Sequence, residues 1–79
     1  MTLGIAVGKR IKELLLLHNK TQYRLAKESC LNEKTISDLV KGKSKDVKLS
    51  TIYLIAESFN MTLLEFLQSE LLDSKNIEY

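Results

Sequence analysis

Apolar residues recur along this chain at intervals of three and four, and the stripes they draw are short. Val7, Ile11, Leu14, Leu15 and His18 share one face, which predicts a first helix from about Ile5 to His18. Asn19 suits a left-handed residue ending that helix. Thr21 offers an N-cap hydroxyl for a second helix, with Leu25 and Ala26 turned inward. Asn32 is a third capping residue, and Glu33 to Lys41 places Ile36, Leu39 and Val40 on one side. The opposite side carries Glu33, Lys34, Ser37, Asp38 and Lys41, and "GKSKDVK" then breaks the pattern as a loop. Leu49, Ile52, Ile55, Ala56 and Phe59 form the next stripe, closed by Asn60. "STIYLI" is β-branched enough for a strand, but its continuation to Phe59 favours the helical period. Thr62 and Glu65 make a capping box that opens a last helix, with Leu64, Leu67 and Leu71 in register. The pattern therefore predicts an all-α fold, a compact bundle of five short helices over residues 1–72, with 73–79 as a frayed tail.

Composition narrows the setting. At 79 residues, 44% of them hydrophobic and 28% charged, the chain suits one small domain with a limited core. The longest apolar run, "LLLL" at 14–17, is far below the roughly 20 residues of a membrane span. The first charges follow the apolar N-terminus instead of preceding it, unlike a secretory signal, so a cytoplasmic location is expected. Cys30 has no partner for an internal disulfide, which agrees with a reducing compartment. The net charge of +2 conceals a polarity: residues 1–48 hold eleven Lys or Arg against five Asp or Glu, whereas residues 49–79 hold one against five. That asymmetry suggests a side that faces a polyanion.

Chemistry beyond binding finds little support. His18 and Cys30 lie on different predicted helices and do not form a nucleophile and base pair, so no enzyme is expected. Neither has further Cys or His neighbours that would make a zinc site, and no metal, cofactor or small-molecule ligand is expected. "GKS" at 42–44 resembles the end of a phosphate-binding loop, but a helix precedes it and the first glycine is missing.

"TQYRLAKESCLNEKTISDLVKGK" followed by "LSTIYLIAESFNMTLLEFL" resembles the Cro/cI-type, or lambda-repressor-like, helix-turn-helix domain. The resemblance rests on Gln22, Leu25-Ala26, Ile36-Ser37, Gly42-Lys43, Leu49-x-Thr51-Ile52 and Ile55-Ala56, in order and at the family's spacing, over about residues 7–72. It implies a helix-turn-helix at 21–42 in a bacterial or phage regulator of transcription, expected to be a repressor. The helix at about 33–41 would enter the major groove of double-stranded DNA, and a homodimer would span a palindromic operator. Thr21, Gln22, Lys41, Lys43, Ser44 and Lys45 are then the expected phosphate contacts, which fix register without reading sequence. Asn32, Glu33, Lys34, Ser37 and Asp38 are the expected base readers. For Glu33 and Asp38 the competing roles are a first-turn acid at the helix dipole and a surface partner for Lys34.

Three departures from the family pattern carry information. Relatives often hold a buried ion pair where this chain has Leu15 and Val40, a replacement that is commonly neutral or stabilising. Leu16 points away from the first stripe, Leu54 occupies a slot usually polar, and the last helix is rich in leucine. The excess apolar surface suggests self-association, with Leu54, Leu63, Phe66, Leu67 and Leu71 as expected interface residues. The rival expectation is a module of the same fold that holds a protein partner, as antitoxins and anti-repressors do. Finally, the turn carries Cys30 where relatives put glycine, which predicts a positive φ at that residue.

Overall fold

The Thr2 hydroxyl accepts the Ile5 N–H at 3.3 Å, so the first helix starts at Leu3, ahead of its apolar stripe. In the computed structural model, which describes residues 1–69 and 72–77, five α-helices follow one another: α1 Leu3–Leu17, α2 Gln22–Ser29, α3 Glu33–Val40, α4 Leu49–Ser58 and α5 Leu63–Leu67. No strand occurs among the described residues. α1 packs on α3, α2 on both α3 and α4, and α4 on α5. The expected all-α class and helix order are found.

The first four helices end by one device. Each is followed by a residue with positive φ: Asn19 (53°), Cys30 (59°), Gly42 (75°) and Asn60 (57°). At each, the next residue's N–H reaches back to the helix, as Lys20 does to Leu15 at 2.9 Å and Leu31 to Ala26 at 3.0 Å. The same bonds join Lys43 to Asp38 at 2.9 Å and Met61 to Ala56 at 3.0 Å. These closures use the otherwise orphaned carbonyls of the last turn. The chain thus reverses direction repeatedly with no proline and with glycine at only one of the four stops.

Val7, Ile11, Leu25, Ile36 and Ile55 form the enclosed centre, with Phe59 and Phe66 as its largest side chains. Three expectations about burial are corrected. Leu49 stands 62% exposed, because it opens α4 and projects before the helix reaches the core. Leu64 is 73% exposed, and Phe66 takes the inward position. Phe66 is enclosed within the chain's own core, against the expectation that it is an interface residue. The Arg10 guanidinium lies over its ring at 5.8 Å and donates to the Phe66 and Glu65 carbonyls at 3.0 and 3.2 Å. α5 ends at Leu67, short of the register to Leu71 expected for the last helix. Leu71, also expected at the interface, lies outside the described residues.

His18, which shares the first stripe in sequence, is exposed at the end of α1, with its ring 5.0 Å from that of Phe59. Within the segment expected to be a tail, Ser74–Asn76 form a 3-10 turn, and the Met1 ammonium donates to the Asn76 carbonyl at 2.9 Å.

Candidate nucleic-acid interface

The turn between α2 and α3 is built by three side chains and one strained backbone. Thr21 accepts the Arg24 N–H at 3.1 Å and starts α2. Ser29, buried near the other end, donates to the Leu25 carbonyl at 2.7 Å, so its hydroxyl is satisfied within the helix. Cys30 then adopts φ 59° and ψ 30°, the left-handed geometry expected of it, with an exposed thiol. Asn32 accepts the Lys34 N–H at 2.8 Å and starts α3 only two residues later.

α3 divides cleanly. Ile36, Leu39 and Val40 are buried, whereas Asn32, Glu33 and Lys34 are exposed and Ser37 and Asp38 half-buried. The Lys34 ammonium pairs with Asp38 at 3.0 Å, so the pairing weighed against a base-reading role for Asp38 is present. An i,i+4 pair on an open helix face is worth only about 0.3–0.5 kcal/mol. Lys34, with its side chain 81% exposed, is therefore held loosely. Asn32 has its side-chain oxygen committed to the cap, which leaves its amide hydrogens for any outside acceptor.

The expected phosphate contacts fall on both sides of this helix. Gln22 is exposed at the first residue of α2, where backbone N–H groups and the helix dipole favour an anion. Lys41, Lys43 and Lys45 are exposed on and after the C-cap of α3, and Ser44 is half-buried among them. An open groove brings Thr21 and Gln22 beside Val40, so the start of α2 and the end of α3 adjoin. The ionic contacts of α2 are local: Lys20 donates to Glu28 at 2.7 Å, holding that carboxyl below its ordinary value, and Arg24 adds to the effect.

Two glycines that no hydrophobic pattern singles out set the geometry. A Cβ on Gly8 would run into the Leu39 carbonyl oxygen and sit 2.9 Å from its carbon. A Cβ on Gly4 would meet the Ser44 carbonyl in the same way, 2.9 Å from the Lys45 carbonyl carbon. The Gly4 N–H donates to the Lys45 carbonyl at 2.8 Å. α1 therefore lies with its bare backbone against the end of α3 and the basic loop. The only signal in the sequence is their spacing of four residues on one helix face.

Two helices of eight residues, joined through a left-handed turn, with the second showing a polar outer row and a lysine-rich loop beyond it, define a helix-turn-helix unit. Residues 10–70 match the family model of the Cro/C1-type HTH DNA-binding domain. The chain belongs to that family, as its sequence motifs imply. A comparison with curated proteins finds no match. Among the described residues, no helix is long and apolar enough to cross a membrane.

Proposed function

We propose that the protein is a sequence-specific regulator of transcription, most simply a repressor, that places α3 in the major groove of double-stranded DNA. The carrying observation is the division of α3, whose inward residues complete the core while Glu33 and Lys34 stand exposed on its outer row with Asp38 half-buried beside them. Lys34 donates to guanine, Glu33 accepts from cytosine, and Asn32 and Ser37 supplement them. Thr21, Gln22, Lys41, Lys43, Ser44 and Lys45 hold phosphates on either side.

A single small domain makes few contacts, so useful affinity comes from a two-fold homodimer with recognition helices about one DNA turn apart, roughly 34 to 36 Å. The pairing surface in this reading is the α4 and α5 side, where Leu54, Leu63 and Leu67 are half-buried and Tyr53 and Leu64 are exposed. Selection of sites from random duplex DNA tests the whole reading: an enriched palindrome is expected. Enrichment of nothing above random duplex, with affinity insensitive to salt, overturns it, because phosphate contacts release counterions and must weaken as salt rises.

A further inference from the structure

Leu16 and Leu17, at the C-terminal end of α1, are the most exposed large apolar residues described, at 84% and 77%. A single exposed leucine is ordinary, but Leu16 lines an open groove of ≈390 Å³ and exposed Leu17 follows it in the chain. Leu15, Leu16 and Val40 supply its apolar lining. Leu15 and Val40 stand at the positions where the resemblance implies a buried ion pair, so this lining is a departure of this chain from its relatives. Lys12 stands at the rim and pairs with no acid among the described residues. The Lys20 ammonium is committed to Glu28 and to the Ser58 carbonyl at 2.8 Å, so the polar demand at the groove falls on Lys12. Thr21 and Gln22 complete the lining.

We propose that this groove docks a second protein through an acidic amphipathic segment. One apolar side chain would seat on Leu15 and Val40, another would cover Leu16, and a carboxylate would reach Lys12. The basic charge of residues 1–48 decides between occupants. A two-fold contact between copies through this groove would set Lys12 against its own equivalent, whereas an acidic segment complements it. Because Thr21 and Gln22 line the groove, its occupant excludes a DNA phosphate from the start of α2. That competition rests on the DNA reading above; the docking does not. It gives the domain a way to be released from DNA.

The test uses the whole chain and a displayed library of random linear peptides. Selected peptides are titrated by fluorescence anisotropy against the parent, Leu16→Ser with Leu17→Ser, Leu15→Arg with Val40→Glu, and Lys12→Ala. Both leucines are exposed, so the first pair leaves the fold intact, as circular dichroism checks. Enriched peptides should combine Asp or Glu with large apolar residues and lose at least about tenfold in affinity for either double variant, and about threefold for Lys12→Ala. Amide shifts on binding should cluster at the end of α1 and the start of α2. Peptides that bind both folded double variants as well as the parent, that lack acidic residues, or that map elsewhere overturn the proposal. So does a library that yields no binder. Displacement of random duplex DNA is read separately: peptide and duplex bound together refute the competition, and duplex that never binds the parent refutes the DNA reading while the shift map still decides the groove.

Discussion

Replacing Gly8 by alanine should destabilise the protein, against every local expectation. Alanine in a helix interior is favoured over glycine by about 1 kcal/mol. A buried methyl would ordinarily add roughly 0.8 kcal/mol more. At Gly8, however, the new Cβ falls on the Leu39 carbonyl oxygen and within 2.9 Å of its carbon, and this obstacle is main chain, not a side chain able to rotate away. α1 and α3 must separate along the contact that joins them. Overpacking of a close-packed core costs about 1–3 kcal/mol, and a rigid obstacle places the cost at or above the upper end. The local gains offset part of it, leaving a net loss of about 1–2 kcal/mol. For a domain of this size each kcal/mol lowers the melting temperature by about 4–8 °C, so a fall of roughly 4–16 °C is expected. Thermal unfolding and urea titration followed by circular dichroism would measure it, with an unchanged urea slope showing that both states keep their compactness. A Gly8→Ala protein as stable as the parent, or more stable, would refute the close approach.

Cys30→Gly relieves a left-handed residue that costs about 1–2 kcal/mol but frees the unfolded chain by about 0.4–1 kcal/mol, so the variant should be neutral or up to about 1.6 kcal/mol more stable in the same assay. Lys34→Ala should weaken binding to a selected site by about 1–3 kcal/mol with little effect on random duplex, while Lys43→Ala should weaken both alike; uniform loss from Lys34→Ala would remove its base-reading role. Glu65 is held below its ordinary carboxyl value of 4.5, first by the Thr62 N–H and then by the Thr62 hydroxyl, and Glu28 first by Lys20. A depressed carboxyl contributes stability that is present above 4.5 and is lost as pH falls through its folded value, so Glu28→Gln and Glu65→Gln should flatten the loss of stability below pH 4.5. Equally steep acid unfolding in the variants would count against both assignments.

The helix-turn-helix was legible because its information is local. Thr21 and Asn32 announce helix starts, Ile36, Leu39 and Val40 give the inward side of α3, and the capping box at Thr62 and Glu65 forms with bonds of 2.9 and 3.1 Å. Even the strain at Cys30 follows from the need to reverse the chain without glycine. The misreadings came where periodicity had too few turns to act on. In a five-residue helix the leucines at 63, 64 and 67 outvote Phe66 by number, yet Phe66 is the fourth helical residue and Met61 precedes the cap, the two positions of a hydrophobic staple. That signal was present and points to the right residue. Gly4 and Gly8 left almost none, since a residue chosen for what it lacks has no pattern of its own. The exposure of Leu17 is hidden for the opposite reason: in sequence it is one more member of an apolar run.

The contact of α1 through bare backbone divides the protein into a part open to change and a part that is not. Glu33 and Lys34 can be rewritten at no cost to the core, because nothing inside leans on them. The distance at which α3 is held from α1 depends on two missing side chains, and a gain of one carbon at either would move it. Under the proposed DNA reading, new binding preferences are reachable by substitution on an outer row of side chains, while the angle from which they are presented is inherited unchanged.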